Sequence, residues 1–320
     1  MKKILLLVML GLSTSVFSQQ TEKTTELEEV VITATRSEIS LEDSPIPTEV
    51  IGKKEIEQLN LITMQDLLQA KGIQVAPMKS GGFQLRGLSS EYVLVMIDGV
   101  PIAGRESGAL DLSNINLANV ERVEIVKGSM SSLWGNHAIG GVINIITKSK
   151  GGGGGGFSYG SYGTKQGNFQ FNANVKKLDF AIGFENQNAD GFSSAKDITN
   201  KGDFDKDGYQ NNSFFVKAKY QIDTLWNVQL SSRKTAYKAA IDYGGFKDDK
   251  DNEFKNATTM NGLVLKYKKA KTNFQLQYQY TTQDRTYFND SVDRTYLIFE
   301  NNQYAGTTHF ADAFLSTQIH

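Results

Sequence analysis

The chain of 320 residues contains no cysteine, four prolines and three histidines, and its longest apolar run falls well short of the ~20 residues that a membrane-crossing helix needs. The absence of cysteine excludes disulfides and thiolate metal sites, and leaves the compartment open because exported proteins can also lack it. His137, His309 and His320 are far apart, and no serine sits in a G-x-S-x-G context. The paired nucleophile and base of a hydrolase are therefore missing, and no catalytic residue is assigned. Excess charge of one sign is also lacking. The 34 Lys and Arg against 35 Asp and Glu leave a formal charge of −1, which implies no polyanion and no nucleic-acid partner.

What is present begins at the N-terminus. Lys2 and Lys3 precede an apolar run over residues 4–12, and the small-residue stretch 16–18 ends just before Gln19, the pattern of a cleavable export signal over residues 1–18. Residues 19–26 are too polar to pack, so residues 19–36 are expected to be a flexible tail holding one β-prone island, 27–36. Val30, Val31, Ile32 and Thr33 fit either a strand seeking the edge of another protein's sheet or the first strand of the next domain.

Residues 37–149 have a mixed α/β pattern. A short strand covers 49–51, and Ile56, Leu59, Met64, Leu67 and Leu68 recur at helical spacing before Gly72. Residues 83–87, 92–97, 120–126 and 142–147 are expected strands, with a turn at Asp98-Gly99 and a glycine-punctuated loop over 128–141. Residues 150–156 include a run of six glycines, expected to be a linker without regular structure.

Over residues 157–320 strict alternation takes over. Phe169, Phe171, Ala173 and Val175 alternate with polar residues. Two residues later Leu178, Phe180, Ile182 and Phe184 do the same, which is a hairpin with one apolar and one polar face. The alternation returns at 214–220, 226–230, 263–267 and 274–280, with tight turns at one end and long polar loops (191–212, 237–259) at the other. Alternation by itself also suits a soluble sandwich. Combined with export, asymmetric loops and strands of about ten residues, it favours a transmembrane barrel. The fold class expected is an α+β domain followed by antiparallel transmembrane β-barrel strands, eight or nine of the ~22 of a plugged barrel, with an open edge that should make the chain alone aggregate.

These residues resemble the TonB-dependent receptor family over essentially the whole chain. Residues 27–36 (LEEVVITATR) resemble the TonB box, which implies a TonB-type periplasmic transducer as partner and coupling through Glu29, Val30, Val31, Ile32, Thr33 and Ala34. Residues 83–87 (FQLRG), 93–101 (VLVMIDGVP) and 120–148 (VERVEIVKGSMSSLWGNHAIGGVINIITK) resemble the segments of the plug domain that fills the barrel. They carry Arg86, Gly87, Asp98, Gly99, Lys127, Gly128, Trp134, Gly135, Gly140 and Gly141. A phosphate-binding loop at 135–142 is rejected, because Gly141 and Val142 stand where Lys and Ser or Thr would be needed. Arg86, Glu121, Arg122, Glu124 and Lys127 either pair with the barrel wall or stay solvated, and a polar lumen favours pairing. The resemblance implies an outer-membrane location, lipid around a monomeric barrel, a small nutrient ligand and no enzyme activity. An adhesin or passive pore has no use for the box or the plug, and the early TonB box leaves no room for the extra domain of a glycan importer or a signalling receptor.

The sharpest local chemistry lies at residues 203–208. Asp203, Asp205 and Asp207 alternate before the turn residue Gly208, as in loops that gather oxygen ligands around calcium. The twelfth position is Phe214 instead of Glu, so further ligands must come from Asp242, Asp248, Asp249 or Asp251. A solvated acidic loop is the other reading. Similarity to vitamin B12 transporters, whose acidic loops bind calcium at this point of the barrel with an aromatic residue alongside (here Tyr209), implies calcium as a structural ion. It also puts cobalamin ahead of a ferric siderophore as ligand. No other cofactor is expected.

Overall fold

The computed structural model describes residues 30–317 apart from 37–38, 60, 62, 74, 78–82, 103–109, 111, 113–114, 118, 150, 194, 199–201, 203, 243–244, 247, 290–291, 294–295 and 298–299. The expected export signal, most of the expected tail with Glu29, and Asp203 lie outside the described residues.

The first half builds a five-stranded sheet whose aliphatic strands are buried on both faces, which is why they show little alternation. Ahead of it, β1 (Val30–Val31) and β2 (Ile39–Ser40) form a small antiparallel pair. The sheet contains β3 (Thr48–Gly52), and β4 (Val75–Pro77), β5 (Phe83–Leu85) and β6 (Leu88–Ser89) form a separate three-stranded sheet. The main sheet continues with β7 (Val93–Ile97), β8 (Val100–Pro101), β9 (Val120–Lys127) and β10 (Gly141–Thr147), in the order β3-β9-β10-β7-β8. β10 runs parallel to β7 and antiparallel to β9.

On one face of this sheet Ile51, Val123, Ile125, Ile143 and Ile145 pack against Leu67 and Leu68. Those leucines belong to α2 (Met64–Ala70), which follows α1 (Lys53–Leu59). Thr63 caps α2 by accepting from Asp66 N at 3.2 Å, and Gly72, at φ +67°, closes its C-terminal end. Leu59, expected on the apolar face, is 37% exposed. On the other face Leu94, Met96, Val126 and Val142 form a second cluster with Met130, Ala138 and Ala34. The loop expected over 128–141 contains a helical turn, α3 (Ser131–Trp134), and a 3-10 turn over Asn136–Ala138.

The second half is one antiparallel sheet. It is built of β11 (Gly152–Tyr159), β12 (Lys165–Val175), β13 (Leu178–Ala189), β14 (Tyr209–Gln221), β15 (Trp226–Ala240), β16 (Glu253–Lys269) and β17 (Thr272–Asn289). The hairpin strands β18 (Val292–Asp293) and β19 (Tyr296–Leu297) follow, and β20 (Glu300–Thr317) completes the sheet beside β17. Consecutive strands pair, and among the described residues β11 and β20 are its open edges. No described helix is long and apolar enough to cross a membrane, which says nothing about crossing by strands.

The glycine run corrects the sequence expectation. Residues 152–156, expected to be part of an irregular linker, are strand β11, with Gly152 opposite Asn172 and Tyr159 opposite Lys165. Pairing needs only backbone N–H and C=O groups, which glycine has, and the edge of β12 supplies the partners. At Gly155 a Cβ would come 2.8 Å from the Asn168 carbonyl, so the close approach depends on glycine.

The sheet also settles which face is outside. Phe169, Phe171, Phe184, Phe214, Leu230, Leu263, Leu276 and Leu315 are exposed on one side, whereas Asn172, Glu185, Gln187, Ser213, Gln277 and Gln279 are buried on the other. Apolar outside and polar inside is the arrangement of a membrane barrel. Trp226, Tyr267 and Phe274 cluster on the outer face at the short-turn end, with the Trp226 ring 4.9 Å from Tyr267. The strands run to 18 residues in β17 and β20, longer than expected, because polar-on-both-faces continuations lose the alternation that marked their apolar parts. The long loops shrink accordingly to residues 190–208 and 241–252.

Candidate functional site

Two sites stand out, one in the long loops and one on the plug. The first lies where the long loops meet. Tyr209 pairs with Ala239 at the loop ends of β14 and β15, and this register brings residues 190–208 and 241–252 together. Carboxylate oxygens of Asp205, Asp242 and Asp248 lie within 4.8 Å of one another. Asp248 Oδ1 accepts from Asp205 N at 2.9 Å. Asp242 accepts from Ala195 N at 2.6 Å, Ser193 Oγ at 3.0 Å and Asp249 N at 3.0 Å. Asn289 Nδ2 donates to Asp249 Oδ2 at 2.8 Å and so holds that loop to the end of β17.

Packing like charges this closely has a price in ionisation. Burial, then the hydrogen bond and charge of Asp248 and the charges of Asp207 and Asp242, push the Asp205 carboxyl up to about 6. Burial acts the same way on Asp242, yet a hydrogen bond with Asp207 and the donors from Ala195, Asp249 and Ser193 hold it below the usual range. Asp205 Oδ1 is buried without a hydrogen-bond partner. An all-oxygen donor set with surplus negative charge fits a hard divalent cation such as calcium. Of the residues picked from sequence, Asp205, Asp242 and Asp248 are brought together and Asp207 adjoins them, while Asp249 turns towards Asn289.

The second site is the segment expected to be a free tail. Its described part is docked: Val31, Thr33 and Ala34 are buried. The second face of the plug sheet has an apolar end and a polar end, Glu124 of β9 beside Asn144 of β10, and residues 31–36 cover it. Glu124 Oε2 accepts from Ile32 N at 2.9 Å, Thr33 N at 2.9 Å and Thr33 Oγ1 at 2.5 Å, while Oε1 accepts from Arg122 Nε at 2.8 Å. Asn144 Nδ2 donates to Thr33 Oγ1 at 3.0 Å, and Trp134 Nε1 donates to the Thr33 carbonyl at 3.0 Å. A buried carboxylate with four donors is satisfied, and Ile32 and Thr33 supply three of them. Arg36 then reaches the barrel wall. It pairs with Asp312 of β20, and its guanidinium lies 4.3 Å from the Trp134 ring centroid and 4.7 Å from that of Phe314.

Plug and wall meet at the Asp98-Gly99 turn. Asp98 accepts from Thr147 N at 2.9 Å, Thr147 Oγ1 at 2.7 Å and Lys217 Nζ of the wall at 3.0 Å. Burial tends to raise this carboxyl, but the Lys217 ammonium and the Thr147 donors hold it below the usual range. Gly99 N donates to Asn144 Oδ1 at 3.0 Å. A chain of polar contacts therefore runs from Lys217 through Asp98, Gly99 and Asn144 to Thr33 and Glu124.

The expected plug-to-wall ion pairs of the plug strand are corrected. Arg122 pairs with Glu124 at 2.8 Å and Lys127 with Glu49 at 2.6 Å, both inside the plug, because these side chains lie over the sheet's own faces. Arg86 is exposed at φ +54°, beside Gly87 at φ +81°. Gly128 and Gly135 take φ +131° and +83° around α3, and Gly140 N donates to the Tyr92 carbonyl at 2.7 Å. At Gly141 a Cβ would lie 2.6 Å from the Val126 carbonyl. The wall residues Lys217 and Asp312 escaped the sequence reading, since in a strand they look like any lumen-facing charge.

Residues 40–142 match the family model of the TonB-dependent Receptor Plug Domain. The chain is 32% identical over 250 residues to a vitamin B12 transporter, BtuB, of Photobacterium profundum, covering 72% of this chain and 39% of that protein. It is 30% identical over 252 residues to the vitamin B12 transporter BtuB of Vibrio cholerae serotype O1, covering 71% of this chain and 38% of that protein. The chain thus spans 38–39% of the length of these two relatives. Among solved structures it is similar to the siderophore receptor PiuA from Acinetobacter baumannii, with a TM-score of 0.68 at 19% identity over 88% of this chain and 44% of that one. The ferric yersiniabactin uptake receptor FyuA from Yersinia pestis gives a TM-score of 0.67 at 18% identity over 86% and 46%. At such identities the structural likeness speaks for the fold alone.

Proposed function

The chain belongs to the TonB-dependent receptor family, whose members are receptors and transporters, and from that footing we propose that it serves energised uptake of a corrinoid across the outer membrane. In this reading residues 1–18 direct export, residues 37–149 form the plug, and residues 157–320 contribute to a monomeric barrel with its short turns facing the periplasm. The observation that carries the proposal is the docking of Thr33 on Glu124. The outer membrane offers no energy source of its own, so a periplasmic transducer must pull on the receptor. β1 (Val30–Val31) lies in a segment that can add to such a partner's sheet edge once it leaves Glu124.

Release must be biased from outside. A ligand shifts this equilibrium only by its differential affinity for the docked and released states. The polar chain from Lys217 to Thr33 offers a physical route for that bias, because a shift of the plug at Asp98 moves Gly99 and Asn144, which hold Thr33. Identity with vitamin B12 transporters favours a corrinoid over a ferric siderophore. Asp205, Asp242 and Asp248, with Asp207 alongside, would hold a calcium ion that orders the two loops around the ligand.

Equilibrium binding of cyanocobalamin to the purified receptor containing this chain, with calcium and with chelator, tests the ligand. Binding strengthened by calcium supports it. Binding of a ferric catecholate with none of the corrinoid overturns it.

A further inference from the structure

We infer that the short-turn mouth of the barrel is a basic cradle for the acidic stretch 26–29 of this same chain, which it holds ahead of the docked coupling segment. A cavity of about 200 Å³ lies between plug and wall beside the Asp98-Gly99 turn. Ile32 and Arg36 line it from the coupling segment, and Lys217, Lys219, Lys266 and Asp179 line it from the wall. Four cations thus stand against two carboxylates, Asp98 and Asp179, among the described lining residues. Lys266 also begins the run 266–271 (KYKKAK), four lysines and no acid, where β16 turns into β17. The register puts Lys219 opposite Asp179 and Gln229, and Lys266 opposite Gln275. Lys219 shares its face of β14 with the buried Phe215, and Lys266 its face of β16 with the buried Val264, so both belong to the lumen side and are closed to lipid.

The chain itself carries the complement. Glu26, Glu28 and Glu29 fall within four residues, and no cation lies between Lys23 and Arg36. Ile32 lines the cavity, and Glu29 precedes it by three residues and Glu26 by six. At about 3.3–3.6 Å per residue, even a fully extended chain keeps these two within ~11 and ~22 Å of Ile32. So short a tether gives an effective concentration of about millimolar or more, which lets individually weak ion pairs hold the stretch. The other end of the barrel repels it, since the long loops carry Asp205, Asp207, Asp242, Asp248, Asp249 and Asp251. Lys266 is exposed and Lys219 half-buried, whereas Glu124 is fully buried. Exposed pairs are screened by salt and buried ones far less, so the cradle yields to salt while the bonds of Thr33 to Glu124 do not. The cradle therefore guards the approach to β1: a transducer must displace the acidic stretch before it reaches the strand.

The inference rests on the coupling role proposed for residues 29–34, and the test separates the two. In the ligand-free receptor containing this chain, freed of any other cysteine, Thr25→Cys carries a nitroxide whose mobility is read by EPR. The soluble periplasmic domain of the transducer is titrated in parallel. Lys219→Gln with Lys266→Gln is compared with the parent, with Lys219→Arg plus Lys266→Arg, and with Lys234→Gln, which lies opposite the outward-facing Phe214. Heat-modifiable migration is the folding control. The ratio of immobile to mobile label is expected to fall about 3- to 10-fold in the glutamine pair, the loss of two weak ion pairs, and to stay within about 2-fold of the parent in the arginine pair and Lys234→Gln. Raising salt from about 0.1 M to about 1 M shortens the screening length from about 10 Å to about 3 Å and should bring the parent to the level of the glutamine pair. Transducer affinity should rise in the glutamine pair, because a competitor for the segment is removed. Label mobility indifferent to salt and to the glutamine pair overturns the cradle, and a transducer that still binds the parent leaves the coupling reading standing. Transducer affinity that falls in the glutamine pair also overturns the cradle, since the lysines are then contacts of the transducer. Mobility that follows the lysines, with a transducer that binds no variant, overturns the coupling reading and keeps the cradle. Failure of both readouts overturns both.

Discussion

Glu124→Gln is the most informative single change in the chain. The side chain keeps its shape and one acceptor oxygen, but it loses the charge that strengthens the bonds from Ile32 N, Thr33 N and Thr33 Oγ1. A hydrogen bond to an ion contributes about 1.5–3 kcal/mol and a neutral one about 0.5–1.5, so three weakened bonds amount to ~3–4.5 kcal/mol, and ~2–3 after partial relaxation. At 1.4 kcal/mol per factor of ten, the released fraction of the coupling segment should rise about 30- to 150-fold. A transducer that binds only the released segment gains apparent affinity in proportion, until release is complete. The assay is titration of the purified, ligand-free receptor with the soluble periplasmic domain of the transducer, alongside limited proteolysis of the segment. Glu124 lies in β9 and not in the segment, so altered transducer contacts are not a competing cause. Unchanged affinity together with unchanged protease sensitivity would refute the latch.

Other expectations follow from the same geometry. Lys217→Met removes the wall's ammonium from Asp98 and should loosen the plug by about 1–3 kcal/mol, seen as earlier denaturant release of plug fragments to protease; Lys217→Arg should behave nearly as the parent. Chelation should lower the melting temperature, and Asp242→Asn should erase the calcium increment, which at 100 times Kd corresponds to about 2.7 kcal/mol; an increment that survives Asp242→Asn counts against the site. Gly141→Ala places a methyl 2.6 Å from the Val126 carbonyl at φ +142°, so it should cost several kcal/mol and yield a protease-sensitive plug; a parent-like melting curve contradicts this.

How much of this was legible in the sequence depended on distance along the chain. Phe169, Phe171 and Phe184 announced barrel strands because alternation is a local signal, and the unbroken apolar run Val93 to Ile97, equally local, announced a buried strand. The pairings that matter for function are not local. Lys217 and Asp98 stand 119 residues apart, Thr33 and Glu124 91, and Arg36 and Asp312 276. Nothing in the neighbourhood of either partner marks the other. The acidic loop was half legible. The alternation of Asp205 and Asp207 and the further candidates Asp242, Asp248, Asp249 and Asp251 were visible, but that Asp242 and Asp248 are the ones that arrive was set by the β14–β15 register. The glycine strand β11 misled because propensity counts against glycine, whereas an available edge decides.

The most direct test of the account is accumulation of radiolabelled cyanocobalamin by cells whose only corrinoid receptor contains this chain, with and without the transducer and with Val31→Pro. The account predicts surface binding in every case, accumulation only with the transducer, and none in Val31→Pro, whose proline removes a backbone donor and blocks strand addition. Accumulation that persists without the transducer, or that Val31→Pro leaves intact, would contradict it.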